Sequence, residues 1–300
     1  FEVQDGATLT IIDSAAPQET VTDSGGAVYG NKATLENDTL TYYITTSTPS
    51  GTGTTESLEQ HTVTLTGAIR CDESSDQAIK VNGGTLDIQG GALRNSSGKR
   101  IVLVESGTLT MEGGYIVGGG SQGNPGGGIY VTNGTVSISG GVVAANRGNS
   151  GGGIFVNSGT LNISGGEISG NTANGGGGVA IIGSTMVMNG GTISNNSTYK
   201  TSGQGSYGAG VYVADYANAS GGDTLFTGQP ASFEMNGGKI TGNTALDYGG
   251  GVLTFPQQSQ KITININNGE ISGNKVTKGS GGAVAAFFGV TELNIKGGTL

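Results

Sequence analysis

One phrase recurs through this chain and constrains its fold more than any other feature. The phrase reads apolar, any residue, apolar, any residue, Gly-Gly, any residue, apolar, and its copies begin at Leu86, Leu109, Val136, Leu161, Met186, Phe233, Ile264 and Leu293. Successive copies are 23, 27, 25, 25, 47, 31 and 29 residues apart when counted at the first glycine position, which is Asn268 in the seventh copy. Self-similarity at such a spacing is the signature of a repeat architecture.

Each unit carries two more short phrases. One is Gly-Gly-apolar-any-apolar, with its first glycine at Gly127, Gly152, Gly177 and Gly250. The other is apolar-any-any-Asn, which ends at Asn146, Asn171, Asn196, Asn243 and Asn274. Alternating apolar residues between glycine and asparagine corners are typical of short strands. Each unit is therefore predicted to form three strands. These strands bury their apolar residues only when units stack on one another.

The predicted fold is an all-β, right-handed parallel β-helix, a β-solenoid of about ten coils of roughly 23–27 residues with loop insertions. Glycine supplies 61 of the 300 residues, which argues against a helical core. At roughly 4.8 Å per coil the rod is about 50 Å long. We expect one continuous solenoid domain over residues 61–300, with insertions at 197–207, 214–232 and 255–260.

Residues 1–60 depart from the repeat and are predicted to form irregular N-terminal coils and a cap. Residues 6–11 resemble a first coil, and residues 41–44 resemble a strand of a second. Residues 45–60 are rich in Thr, Ser and Glu and are predicted to form a polar loop. Irregular material at the end of a solenoid protects unpaired strand edges.

These phrases carry a resemblance. The Gly-Gly-Ala-Val phrases at 25–28 and 281–284, with the Gly-Gly-Gly-Ile variants, resemble one signature of the polymorphic outer membrane protein repeats. The apolar-any-any-Asn phrase is similar to the second signature, although that family favours Phe where this chain has Ile or Val. Residues 62–300 more broadly resemble the pectin-lyase-like right-handed β-helices. The resemblance implies a secreted or surface-attached bacterial protein involved in adhesion.

Composition excludes several classes of partner. Thirteen Lys and Arg against 22 Asp and Glu give a net charge of −9, which disfavours nucleic acid. No apolar run is long enough for a membrane span, so we expect no membrane insertion. One cysteine excludes a disulfide framework. Because the chain starts at Phe1 and stops within a repeat, we expect a monomeric segment of a longer multi-domain protein.

A search for reactive groups predicts no catalytic residues, no cofactor and no metal site. The aligned outward positions stack no two acids on successive coils, and Lys239 beside Glu270 is interpreted as an exposed ion pair. Asp72, Glu73 and Asp76 leave a calcium site open, although a solvated turn is the preferred interpretation. The only histidine, His61, is interpreted as a surface residue. The only cysteine, Cys71, is interpreted as a small core or corner residue.

The insertions are the most informative feature for function, because solenoids display insertions on a binding face. They gather aromatic residues in one quarter of the chain, together with acids that can bond sugar hydroxyls. The candidate ligand-binding residues are Tyr199, Tyr207, Tyr212, Asp215, Tyr216, Asp223, Phe226, Asp247 and Tyr248. The alternative is that these aromatic residues only fix long loops to the rod.

We therefore expect a non-catalytic, adhesin-type module, extracellular or on the bacterial cell surface, that presents its loop-rich face to a glycan or a host surface protein. The competing hypothesis is a polysaccharide lyase or glycoside hydrolase on a β-helix scaffold, with acids contributed by loops. A third is a passive spacer that binds nothing.

Overall fold

A computed structural model shows an all-β chain built around large parallel sheets in a nearly closed, solenoid-like arrangement. The structure describes residues 1–13, 18–23, 33–36, 39–50, 53–64, 68–71, 76–95, 97–120, 123–199, 205–218, 224–226, 229–256, 261–287, 289 and 291–300. Every regular element in these ranges is a strand.

The strands of the first third of the chain are β1 Glu2–Gln4, β2 Thr8–Ile11, β3 Gln18–Asp23, β4 Ala33–Glu36, β5 Thr39–Ser50, β6 Gly53–Thr64, β7 Ala68–Cys71, β8 Gln77–Ile88, β9 Ala92–Asn95 and β10 Arg100–Met111. The middle of the chain forms β11 Tyr115–Val117, β12 Ile129–Val131, β13 Thr135–Ile138, β14 Val142–Ala144, β15 Ile154–Asn157, β16 Thr160–Ile163, β17 Glu167–Ser169, β18 Thr172–Ala173, β19 Val179–Ile182, β20 Thr185–Met188, β21 Thr192–Ser194 and β22 Ser197–Thr198. The last third forms β23 Val211–Ala214, β24 Tyr216–Asn218, β25 Thr224–Phe226, β26 Ala231–Met235, β27 Lys239–Thr241, β28 Thr244–Ala245, β29 Val252–Phe255, β30 Ile262–Ile266, β31 Glu270–Ser272, β32 Lys275–Val276, β33 Val284–Ala286 and β34 Thr291–Ile295.

The three strands predicted for each unit are found, two in the first parallel sheet and one in the second, and units from β18 onward add a two-residue strand in a third sheet that was not predicted. The first sheet has 16 strands, and its main path runs β33-β29-β23-β19-β15-β12-β10-β13-β16-β20-β26-β30-β34. The second runs β31-β27-β21-β17-β14-β11-β9-β7, and the third runs β18-β22-β28-β32. Each strand therefore pairs with its equivalent in the next unit, as stacking requires.

The first sheet turns a corner where β10 passes from one half to the other. The first half of β10 pairs with β12 and its second half with β13, and the register shifts around Ser106. Gly107 occupies this corner with a φ of 91°, and a Cβ there would lie 2.3 Å from the carbonyl oxygen of Gly84. Glycine is required because a side chain would meet both backbone strain and the neighbouring coil.

Apolar side chains point inward from these sheets and stack in columns. Leu86, Leu109, Val136 and Leu161 are register partners in successive units, and all four are fully buried. Burying each such side chain contributes about 1.5–3 kcal/mol. These columns form one continuous core cluster within the coils.

A ladder of asparagine side chains closes the corner after the second sheet. The Asn171 Nδ2 donates to Asn196 Oδ1 at 3.0 Å and to the Val143 carbonyl at 2.9 Å. Asn146 Nδ2 donates to Asn171 Oδ1 in turn, and Asn196 Nδ2 donates to Asn243 Oδ1. The asparagines that end the repeated apolar-any-any-Asn phrase therefore stack from unit to unit, and the ladder satisfies amides that are fully buried.

The N-terminal region differs from its prediction. Within the first coil predicted at residues 6–11, β2 pairs in parallel with the second half of β8, as a coil strand should. The polar loop predicted at 45–60 is wrong, because most of it forms β5 and β6, a long antiparallel hairpin. Residues 41–44 form part of β5 but pair antiparallel with β4 and β6 rather than with a coil. Threonine has a high strand propensity, which explains strands in such a polar segment.

Strands β3 to β6 form one antiparallel sheet in the order β3-β6-β5-β4, which we call the N-terminal sheet. Its apolar side chains Leu40, Tyr42 and Val63 pack against Tyr115 and Ala144 on the outer side of the second parallel sheet. The N-terminal sheet therefore lies against the side of the coils.

Candidate binding surface

Three aromatic side chains from adjacent units lie together on the outside of the coils. Tyr207 and Tyr248 are bridge partners in successive units, and the same column continues to Ser280. Phe287 follows β33 in the next unit. All three side chains are partly exposed. We call Tyr207, Tyr248 and Phe287 the aromatic platform.

The rings of the aromatic platform are in mutual contact. Those of Tyr207 and Tyr248 are nearly parallel, at 12°, with centroids 6.2 Å apart. Phe287 tilts by 56° against Tyr248 at 4.3 Å. These spacings are those of favourable aromatic pairs, which add about 0.5–1.5 kcal/mol each beyond burial. The platform is therefore a pre-formed surface.

A second aromatic layer supports the platform from below. Phe155, Tyr212 and Phe255 point outward from the first sheet, yet they are 0%, 6% and 7% exposed. Tyr207 packs on two of them, with its ring centroid 6.1 Å from Tyr212 and 5.1 Å from Phe255. Tyr212 thus acts as a support, which agrees with the interpretation that aromatic residues fix loops to the rod.

The acidic candidates near the platform have different environments. Asp215 is completely buried. Asp247 Oδ2 accepts a hydrogen bond from the Ser206 backbone amide at 3.0 Å. In return, the Asp247 backbone amide donates a hydrogen bond to the Ser206 hydroxyl at 3.1 Å. Because Ser206 directly precedes Tyr207, this exchange ties the two platform tyrosines to one another.

The other predicted binding residues lie away from the aromatic platform or outside the residues that the structure describes. The Tyr199 hydroxyl donates to the Gly148 carbonyl at 2.8 Å, and its ring lies 4.7 Å from the Arg147 guanidinium. Burial raises the pKa of Tyr199 above its ordinary value. Tyr216 and Phe226 are backbone partners in the antiparallel pair of β24 and β25. Asp223 lies outside the described residues, as do parts of all three insertions.

Phe287 was missed by the sequence reasoning because it lies beyond the insertions. A signal for it existed. The register pairs Val252 with Val284, so Phe255 and Phe287 occupy the same place three residues later in successive units. Aligning the Gly-Gly-apolar phrases one step further finds both aromatic residues.

The charged pair predicted at the second sheet is confirmed. Lys239 and Glu270 are register partners, and Lys239 Nζ lies 3.2 Å from Glu270 Oε2. The pKa of Glu270 is lowered, first by the Ser272 hydroxyl and then by Lys239. Both charged side chains are exposed to solvent, as in an ordinary surface ion pair.

The remaining sequence candidates fall into separate groups. Asp76 pairs with Lys99 at 3.3 Å, while Asp72 and Glu73 lie outside the described residues, so the calcium site stays untested. Among residues with a described position, no three His, Cys, Asp or Glu side chains gather as a metal site requires. The Cys71 backbone ends β7, and its side chain lies outside the description.

His61 is not the surface residue of a loop that was predicted. It lies within β6, its side chain is 13% exposed, and its Nδ1 is 2.8 Å from Glu19 Oε1. The physical reason is the N-terminal sheet, whose inner face turns His61 toward the coils.

A polar groove of about 480 Å³ runs along another corner of the coils. Its floor includes Thr135, Thr160 and Thr185, which are register partners in three successive units, and Gln229 and Pro230 form part of its wall. Pairing between equivalent strands explains why these threonines line up, and threonine suits the positions because it favours strands.

Comparison with protein-family models, with curated proteins and with solved structures finds no significant match to this chain. Across the portion that the structure describes, no helix has the length and apolar character needed to cross a membrane. Functional inference therefore rests on the surface itself.

Proposed function

We propose that this chain is a non-catalytic, adhesin-type module of a bacterial cell-surface or secreted protein, which binds a glycan or a host surface protein through the aromatic platform. The observation that carries the proposal is the partly exposed contact of Tyr207, Tyr248 and Phe287 above a buried aromatic layer. The three rings cover this outer apolar cluster and still leave part of their own surface open to a ligand.

The chemistry of the platform suits a sugar ring or an apolar side chain. Aromatic faces pack against the apolar face of a sugar, while nearby polar groups fix its orientation. Asp247, which is half-buried and bonded to Ser206, supplies such a group at the platform edge. Because the second layer already holds Tyr207 in place, binding would lose little side-chain entropy.

The outward acids support the non-catalytic part of the proposal. In the first sheet Asp87 stands beside Thr110, and Glu234 stands between Val187 and Asn265. Glycoside hydrolysis uses two carboxyl groups on either side of one bond, and these columns do not pair acids in that way.

The finer details of the architecture belong to the same proposal. We infer a parallel β-helix of about ten coils that is related to the pectin-lyase-like proteins. We infer a right-handed coil because parallel crossover connections are nearly always right-handed. Such a rod would hold the platform at a fixed position on a monomeric surface protein, without nucleic acid, membrane or cofactor partners.

Glycan-array and host-glycoprotein binding by the full chain tests the proposal. For Tyr248→Ala and Phe287→Ala we expect about tenfold weaker binding, because each removes an exposed anchor. Tyr43→Ala is the matched control, since Tyr43 is also partly exposed but bonds to Gln60 in the N-terminal sheet.

Binding that survives both platform substitutions would contradict the assignment of the site. Release of unsaturated or reducing ends from polysaccharides by the wild-type chain would instead establish the lyase or hydrolase alternative. Absence of binding across glycans and host proteins would favour the passive spacer.

A further inference from the structure

The contact between the N-terminal sheet and the coils is largely apolar. Leu40, Tyr42 and Ile44 of β5 and Val63 of β6 are buried in it, and they meet Tyr115 from the second parallel sheet. Such a contact alone would be insensitive to pH. The same face of the N-terminal sheet also carries a small cluster of polar and titratable side chains.

The polar cluster is centred on the carboxylate of Glu19. Its Oε1 lies 2.8 Å from His61 Nδ1 and accepts a hydrogen bond from the Tyr42 hydroxyl at 2.9 Å. The His61 and Tyr42 rings stack, with centroids 4.7 Å apart and an interplanar angle of 11°. Tyr115 also hydrogen-bonds Glu19. The carboxylate thus joins β3, β5 and β6 to the coils through β11.

The second nitrogen of His61 faces another carboxylate. Its Nε2 is buried, makes no hydrogen bond to any described residue, and lies 3.7 Å from Glu59 Oε2. In a neutral ring that donates from Nδ1, Nε2 carries a lone pair, so two acceptors face each other. In a protonated ring Nε2 becomes a donor toward Glu59. Only the charged ring presents an N–H to both carboxylates, in a hydrogen bond to Glu19 and in a longer ion pair with Glu59.

Burial and charge act on the other groups of the cluster. The hydrogen bond from His61 is the main reason that the pKa of Glu19 lies below its ordinary value. Burial, followed by the charge of Glu19, raises the pKa of Tyr42 and raises that of Tyr115 to about 12. Glu167, from β17, adds a further negative charge toward both tyrosines. The tyrosines therefore stay neutral around neutral pH.

We propose that His61 is a pH-dependent clasp that holds the N-terminal sheet on the coils, closed when its ring is protonated between the ionised Glu19 and Glu59. The clasp weakens as rising pH removes the proton from His61. It also weakens in strong acid, because a carboxyl group with a lowered pKa stabilises the fold above its ordinary range and loses that effect as pH falls through the lowered value. Opening would uncover the apolar strip around Tyr115 and Ala144.

Hydrogen exchange of the full chain, corrected for the intrinsic effect of pH, tests the clasp. Protection of the β3 amides should rise about three- to tenfold between about pH 8 and pH 6, because a partly buried ion pair of this kind is worth about 1 kcal/mol. Protection of β16 in the coils is the internal reference. His61 is the only histidine of the chain, so its imidazole resonances give an independent titration curve, which should share its midpoint with the protection curve.

His61→Gln keeps a hydrogen-bond donor toward Glu19 but cannot titrate, so its β3 protection should not change over this range. Glu59→Gln removes one of the two charges and should reduce the change by about half, and it serves as the deciding variant where His61→Gln loses the N-terminal sheet. Flat protection in the wild type, or an unchanged pH response in Glu59→Gln and in a folded His61→Gln, would overturn the proposal.

Discussion

The parallel coils and the N-terminal sheet are built from the same strand geometry, but their strands find partners in different ways. In the coils each strand pairs with the same phrase one unit later, so that Leu109 lies between Leu86 and Val136. In the N-terminal sheet β6 pairs with β3 and β5, which share no repeat with it.

This difference determines where each region obtains its stability. The coils satisfy buried polar groups within the repeat, as the asparagine ladder shows. The N-terminal sheet buries its apolar face only against the coils, through residues such as Tyr42 and Tyr115. The coils are therefore expected to fold without the sheet, whereas the sheet depends on the coils.

The largest effect is expected where the asparagine ladder is broken. Asn171→Ala removes the donor to the Val143 carbonyl and the acceptor for the Asn146 amide, both inside the coil. We expect a loss of about 3–5 kcal/mol in the free energy of unfolding, since each buried group left unpaired costs about 1–3 kcal/mol. Urea denaturation followed by circular dichroism measures it.

Asn162→Ala is the matched control for the ladder, because Asn162 lies in the same unit but points outward from β16. We expect the free energy of unfolding to change by no more than about 0.5 kcal/mol, as for an ordinary surface substitution. Equal losses of unfolding free energy in the two variants would show that the asparagine ladder does not stabilise the coils.

A smaller and more local effect is expected in the N-terminal sheet. Tyr42→Ala removes a ring that is 2% exposed and contacts both His61 and Tyr115. Truncation of a large buried side chain costs about 3 kcal/mol, and this loss should fall on docking of the sheet alone. Hydrogen exchange should show β3 to β6 losing protection while β13, β16 and β20 keep theirs.

Tyr43→Ala, on the adjacent residue of β5, should leave protection of the N-terminal sheet largely unchanged because that side chain is only partly buried. If Tyr42→Ala instead lowered protection across the coils, the two regions would form one cooperative unit, and the contrast between them would fail.

The repeat made the architecture of the coils predictable from sequence. Equivalent positions such as Thr135, Thr160 and Thr185 align because pairing is between neighbours with the same phrase. The hairpin of β5 and β6 escaped prediction because residues 45–60 are mostly polar and offer no apolar alternation to read. Strand β4 pairs with β5, which directly follows it, whereas β3 pairs with β6 some forty residues later, a pairing that no local pattern encodes.

The binding surface was only partly predictable for a related reason. Alternation along a strand assigns Tyr212 and Phe155 to the outward face, and outward residues are ordinarily exposed. The structure buries both under neighbouring aromatic rings such as Tyr207 and Tyr130. Tyr207 was found in an insertion and Tyr248 on a flanking coil, whereas pairing between units also brings in Phe287.

Disulfide cross-linking between coils tests the parallel register most directly. In a Cys71→Ser background, Ser137→Cys with Asn162→Cys places two thiols at outward register partners of adjacent units, about 4.8 Å apart at Cα, which a disulfide spans. Ser137→Cys with Val187→Cys places them two units apart, at roughly 10 Å, which a disulfide does not span. The stacked-coil account predicts rapid oxidation of the first pair and none of the second. Oxidation of the second pair in preference to the first would contradict it.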